Sequence, residues 1–272
     1  MRVLPLMYHD VVERGLENAS GFPGADAALY KLEHSQFEKH LDAIAARTMR
    51  DAASVLDLVA KEQRERTSQT HEKRLPFLIT FDDGGVSAYE LIADMLEDRG
   101  WRGHFFVTAG RIGTSAFMNL EQIRQLHDRG HIIGSHSQTH PLRMSHCHPE
   151  EMLSEWQTSI KTLSDIVGER VRIASVPGGF YSAQVAKAAA AAGIEVLFNS
   201  EPAIKSYSVD GCLVLGRYTV QRWMPPEVAA AIACGQIWPR FRQTLLWNLK
   251  KVTKSIGGEQ YLKLRKLLLG QG

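Results

Sequence analysis

Leu78-Ile79-Thr80-Phe81-Asp82-Asp83-Gly84-Gly85 decides how the chain is read. An apolar run from Pro76 to Phe81 has the character of a buried strand, and it ends in two adjacent carboxylates followed by two glycines. Neighbouring side chains of a regular strand point to opposite faces, so both acids reach one site only where the chain turns, which the glycines permit. An ordinary Asp-Gly turn is the plain alternative unless other segments supply partners.

Further segments of that kind lie at 3–8, 103–108, 131–135, 171–176, 194–198 and 212–215, mostly separated by helix-like stretches. Such alternation predicts parallel strands joined by crossover helices, and seven strands suggest a barrel. Ser35 and Glu38 form a capping-box pattern ahead of Phe37, Leu41 and Ile44, which share a helical face. Further helices are expected from Val86 to Gly100, around Leu120, Ile123 and Leu126, from Pro149 through Leu163, and from Ser182 to Ala192. Gly15–Asp26 and Lys61–Arg74 read as surface loops, the first long enough to border a site.

With 272 residues, 44% hydrophobic and 23% charged, the composition is that of a soluble globular protein. Cys147, Cys212 and Cys234 are scattered and odd in number, which speaks against a disulfide framework. No apolar run reaches membrane-spanning length, and the opening residues lack the pattern of a signal peptide, so a cytoplasmic location is expected. Charge is uneven. From Arg240 onward eight basic residues face Glu259 alone, a net of +7, which leaves −5 for the rest of a chain whose total is +2. Residues 1–239 therefore read as the body and 240–272 as a basic helical tail. Leu245, Leu246, Leu249, Val252 and Ile256 share one side of that tail, lysines the other. Its simpler reading is a helix pair packed on the body with a solvated basic face; the sharper one is a peripheral attachment to an anionic membrane surface or a lipid-linked glycan.

His136-Ser137-Gln138-Thr139-His140 follows an apolar strand. Two histidines four apart on a helical turn can meet one metal ion, although the spacing alone is a weak signal in a chain with 11 histidines. Position strengthens it, because the Asp pair and the His pair both follow apolar strands, at the end where parallel α/β proteins place their sites. Two imidazoles and one carboxylate make an open three-ligand set suited to zinc, with cobalt, nickel or iron as other occupants. Such an ion lowers the pKa of water from about 16 to about 7, and a second carboxylate beside it would serve as general base.

Thr80-Phe81-Asp82-Asp83-Gly84, His136–His140 and Pro177-Gly178-Gly179-Phe180-Tyr181, in that order, resemble the first three motifs of the NodB-type polysaccharide deacetylases, carbohydrate esterase family 4. The resemblance spans roughly residues 3–220. It implies a distorted (β/α)7 barrel, here with a helical carboxyl-terminal extension, and metal-dependent hydrolysis of N-acetyl groups on amino sugars. Carried over, Asp83, His136 and His140 would hold the metal and Asp82 would be the base. The Tyr181 backbone N–H would help bind the oxyanion, in the turn that holds Pro177 and Gly179, and Ser137 and Thr139 would orient the imidazoles.

Two positions depart from the pattern. Ser175 stands where the family has an arginine that orients the base, and Leu215-Gly216-Arg217 stands where a Leu-x-His normally supplies the general acid. Met7-Tyr8-His9-Asp10-Val11 resembles the YHDV stretch of the poly-N-acetylglucosamine deacetylase branch, in which the barrel is circularly permuted. His9 is therefore assigned as general acid, and Arg217 as the charge that keeps Asp82 ionised.

The expected partner is an amino-sugar saccharide or polysaccharide precursor, as in exopolysaccharide biosynthesis, and not nucleic acid. The alternatives are hydrolysis of another linear amide or an O-acetyl ester, and a catalytically inactive carbohydrate-binding relative. His146-Cys147-His148 precedes a helix opened by Pro149 and is read as a helix start rather than a second metal site. Trp223, Trp238 and Trp247 could stack on sugars, but core or tail packing is the simpler reading, with Trp223 the fairest candidate.

Overall fold

In a computed structural model, which describes residues 1–64 and 75–249, the chain forms a parallel barrel wrapped by helices. The strands are β1 (Leu4–Tyr8), β2 (Val11–Val12), β3 (Leu32–Glu33), β4 (Phe77–Phe81), β5 (His104–Val107), β6 (Ile132–Ser135), β7 (Ile173–Ser175), β8 (Val196–Phe198), β9 (Tyr207–Val209), β10 (Cys212–Leu215) and β11 (Tyr218–Thr219). In the main sheet their order is β11-β1-β4-β5-β6-β7-β8-β10-β9, all pairs parallel except β9–β10. All seven expected strands are present.

Only Gly216 and Arg217 separate β10 from β11, so 212–219 is one bent strand that pairs first with β8 and then with β1. That switch closes the barrel at its carboxyl-terminal end. At the other end β9 is wedged in, and Arg2 bridges Lys205. A side chain at the bend would collide with the chain, since a Cβ on Gly216 would lie 2.1 Å from the Glu201 carbonyl oxygen. This wedge and bend are what distort the barrel.

Strand alternation sorts the core into two layers. Val3, Leu78, Phe106, Ile173, Val196, Phe198 and Leu215 fill the barrel, while Leu4, Leu6, Phe77, Ile79, Phe81 and Phe105 face the helices. The helices are α1 (Ala25–Ala28), α2 (His34–Thr48), α3 (Val55–Arg64), α4 (Ala93–Glu97), α5 (Leu120–Asp128), α6 (Pro149–Val167), α7 (Ala183–Ala191) and α8 (Pro226–Ala233). In α2, Phe37, Leu41 and Ile44 are buried as their spacing predicts, but the helix begins at His34 and Glu33 caps it without a side-chain bond. Ser35 thus lies inside the first turn and the expected capping box does not form. Such a box forms instead at α5, between Asn119 and Gln122. The loop expected over 61–74 is helical as far as Arg64, and 65–74 lies outside the described residues.

Residues 237–249 form a further helix, the start of the expected basic tail; 250–272 lies outside the described residues. Among the described residues no helix is long and apolar enough to cross a membrane.

Candidate metal centre and active site

Following the inward alternation to each strand end, or one inward position beyond it, reaches the site. Leu78 and Thr80 lead to Asp82, Gly134 to His136, Ile173 to Ser175, and Leu215 to Arg217. Each of these four side chains is buried at the carboxyl-terminal mouth.

Asp83 belongs to the opposite phase and enters because its backbone turns: φ is +78° at Asp83 and +86° at Gly84. Gly85 is required for a different reason, since a Cβ there would lie 1.9 Å from an Asp10 carboxylate oxygen. His136 Nε2 lies 3.4 Å and His140 Nε2 3.7 Å from Asp83 Oδ1. Ligand atoms 2.0–2.1 Å from a tetrahedral ion sit roughly 3.4 Å from one another, so this group fits a zinc-sized ion. It is the only such group among the described residues, all its ligand atoms falling within 4.8 Å of each other. His146 and His148 do not join one.

The two imidazoles do not meet across a helical turn, as their spacing alone suggested. Residues 136–140 are loop, and positive φ at Ser137 (+65°) and His140 (+59°) folds that loop so that the ring centroids lie 5.0 Å apart. The hydroxyls of Ser137 and Thr139 bond elsewhere than to the rings. The Ser137 hydroxyl accepts from the His140 backbone N–H at 3.1 Å, and Thr139 donates to Glu155 at 2.7 Å. Both stabilise the loop rather than an imidazole.

Ser175 is what holds a ring. His136 Nδ1 lies 2.6 Å from Ser175 Oγ and 3.1 Å from its carbonyl oxygen, which leaves Nε2 aimed at Asp83. The same hydroxyl donates to Asp82 Oδ1 at 2.9 Å. Arg217 reaches Asp82 from the closing strand with NH1 to Oδ1 and NH2 to Oδ2, both 2.7 Å. It also donates to Thr80 Oγ1 and to the Asn199 carbonyl, and it lies over the rings of Phe106 and Phe198.

Burial pushes the Asp82 carboxyl up, but Arg217 and His136 outweigh that and hold it well below the usual carboxylate range. Asp83 is likewise raised by burial, yet its bond to His136 and the nearby histidines leave it lowered. Burial depresses His136, and the charges of Asp82 and Asp83 reverse this, so its pKa is raised. His140 is pushed down to about 4 by burial and by the neighbouring His136.

His9 is half-buried at the end of β1, near enough for its charge to act on both Asp82 and Asp83. Tyr30 stacks on it at 4.7 Å between ring centroids. Tyr30 and Phe22, which packs against His140 at 4.7 Å, both come from the 13–31 excursion between β2 and β3. That excursion is held by buried Lys31, whose ammonium donates to the carbonyls of Glu17, Ser20 and Phe22. The loop expected to border the site does so.

After β7, Pro177 is buried and Gly178 and Gly179 take φ of +62° and +70°, which turns the chain across the mouth before half-buried Tyr181. The Tyr181 ring meets Tyr207. Trp223 and Trp238 are exposed rather than in the core, and Trp238 stacks on Phe241. Trp247 reaches the site, where a Cβ on Gly179 would lie 3.8 Å from its ring. Sequence reasoning missed Ser175 as a bridge, although its strand phase marks it; Phe22 and Tyr30 carried no comparable signal, and Trp247 was weighed only as a possible sugar-stacking residue.

The chain is similar in sequence and fold to known proteins. Residues 69–197, which contain Asp82, Asp83, His136, His140, Ser175 and Tyr181, match the polysaccharide deacetylase family. YxkH from Bacillus subtilis, a protein named as a polysaccharide deacetylase, is 30% identical over 129 residues, which cover 47% of this chain and 46% of that protein. The match thus spans less than half the length of this curated relative. Among solved structures, the Streptococcus pyogenes deacetylase PplD superposes with a TM-score of 0.67 at 19% identity, over 84% of this chain and 96% of that one. IcaB from Ammonifex degensii superposes with a TM-score of 0.64 at 20% identity, over 85% and 97%. At these identities the likeness is one of fold: the chain carries the curled, mostly parallel barrel of the NodB-type deacetylases.

Proposed function

We propose that the protein hydrolyses N-acetyl groups of an amino-sugar-containing saccharide or polysaccharide precursor. One observation carries this: a metal-sized group of Asp83, His136 and His140 stands beside a second carboxylate, Asp82, that Arg217 keeps ionised. Binding a sugar would need no such carboxylate.

In this reading Asp83, His136 and His140 hold one divalent ion, most simply zinc. When bound, it supplies Lewis-acid polarisation of the acetyl carbonyl and acidifies water. Asp82 takes the proton of the attacking water. Its Oδ1 is occupied by Arg217 and Ser175, whereas Oδ2 accepts only from Arg217 among the described residues, so Oδ2 is the atom with capacity to spare. As the tetrahedral intermediate forms, the Tyr181 N–H faces its oxyanion. The C–N bond then breaks, and protonated His9 gives its proton to the leaving nitrogen, releasing acetate and the free amine. A lipid-linked form of the saccharide and a cytoplasmic location belong to the same proposal.

The test is acetate release from N-acetylglucosamine oligomers. The reading requires release that a chelator abolishes and added zinc restores, and that Asp82→Asn removes while metal stays bound. Release from O-acetyl esters or other linear amides only would redirect it to those substrates. Oligomer binding without any release would make the protein a binding relative.

A further inference from the structure

The helix at 237–249 is amphipathic in the reverse sense to a packing helix. Toward the barrel it turns Arg240, Gln243, Thr244 and Trp247: Gln243 donates to the Thr219 carbonyl at 2.9 Å and Thr244 to the Pro202 carbonyl at 3.1 Å, while Trp247 lies by Gly179. Thr219 ends β11, Pro202 follows β8 and Gly179 follows β7, so residues 243–247 of the helix reach the carboxyl-terminal rim beside the candidate site. The interleaved stripe carries Trp238, Phe241 and Leu245, which are 74%, 54% and 49% exposed, with Ile237 and Leu246 flanking it. The simpler of the two sequence readings has the leucines packed inward and a solvated basic face; the described turns have the leucines outward. Water is a poor neighbour for a contiguous stripe of this kind.

We propose that this stripe docks the protein on an anionic phospholipid surface, with the barrel mouth held beside the headgroups. Three observations choose that occupant. Aromatic and leucine side chains on one face of a surface helix are what the headgroup–acyl boundary accepts. Arg242 is exposed on the same outward side, and residues 240–272 carry a net charge of +7, which attracts anionic lipid and repels a second copy. Trp223, 60% exposed four residues after β11, is a further exposed aromatic near the end of that strand. The docking does not depend on the hydrolytic reading; its use, bringing the mouth to a membrane-borne glycan, rests on that reading.

The experiment is co-sedimentation of the full chain with phosphatidylcholine vesicles, with and without phosphatidylglycerol, for the wild type and for a variant combining Trp238→Ser, Phe241→Ser and Leu245→Ser. We expect binding that needs phosphatidylglycerol, weakens with salt, and drops roughly tenfold or more in the variant while its Tm is retained. No wild-type binding to the anionic vesicles, or equal binding by the variant, overturns the proposal. A wild-type dimer that the variant dissociates, without vesicle binding, assigns the stripe to a second copy. A variant with lowered Tm, again without vesicle binding by the wild type, assigns it to the chain itself. Acetate release from soluble oligomers, measured alongside, separates the two readings: vesicle binding without release leaves the docking standing and removes only the hydrolase.

Discussion

Arg217 and Asp82 face each other through two parallel 2.7 Å hydrogen bonds, with the guanidinium fully buried. The planar fork matches the carboxylate in a way no lysine can. Ser175, where the motif resemblance led one to expect an arginine, is spared that duty and bridges Asp82 to His136 instead.

Removing the guanidinium leaves a buried carboxylate without a counter-charge. Arg217→Met is expected to destabilise the fold by about 3–5 kcal/mol, as loss of one partner of a buried pair does. Urea unfolding at neutral pH measures it; a change near zero would mean Asp82 finds another partner or is protonated. Arg217→Lys should recover only part of the loss.

Ser175→Ala keeps the carbonyl contact to His136 but removes the hydroxyl bridge. Zinc affinity should fall roughly tenfold, the low end of what loss of a ligand-orienting partner costs. Competition against a fluorescent chelator reads this directly. Unchanged affinity would leave orientation of His136 to the Ser175 carbonyl alone.

His9→Ala should lower turnover of the N-acetyl substrate by about 10²–10⁴ with metal stoichiometry intact, as loss of a positioned proton donor does. Tyr30→Ala, which frees the ring of His9 from its stack, should show a smaller loss of the same kind. Near-normal turnover in His9→Ala would move the acid elsewhere.

His104 offers a test away from the site. It is fully buried on β5, accepts from the Val55 N–H at 3.0 Å and contacts the Ile79 carbonyl at 3.1 Å, an arrangement only the neutral ring satisfies. Burial pushes its pKa down to about 4. The unfolded chain therefore binds the extra proton first, and the stability His104 contributes is full above about pH 6.5 and lost as pH falls toward its folded value. About 1.5 kcal/mol should disappear between pH 6.5 and pH 5, the slope rising from half of its full value of about 1.4 kcal/mol per unit as the unfolded histidine becomes fully protonated. His104→Gln cannot titrate, so the gap between its urea midpoints at these pH values should narrow; equal gaps in both proteins would refute the linkage.

Much of the barrel could be read from sequence because its strands are apolar on both faces, and runs such as Phe77–Phe81 stand out from polar surroundings. β11, two residues long, and β9, with exposed Tyr207 and Ser208, give no such run. Adjacent motif residues such as Asp82 and Asp83 were legible because the chain itself brings them together. Phe22 and Tyr30 were not, since they reach His140 and His9 through an excursion whose shape depends on the buried Lys31. The simpler reading of the tail fails over residues 240–249 for a related reason. Helical spacing shows that Leu245 and Leu246 share a side but not which side the barrel's free carbonyls at Pro202 and Thr219 will claim.

The bend at Gly216 ties assembly to competence. The 212–219 segment that pairs first with β8 and then with β1 also carries Arg217, so the bend that closes the barrel is the one that supplies the Asp82 counter-ion. A chain stalled with its last strand undocked would carry every residue of the metal group and still lack an ionised base partner. One bend of backbone thus serves both the seam of the barrel and the charge state of its base.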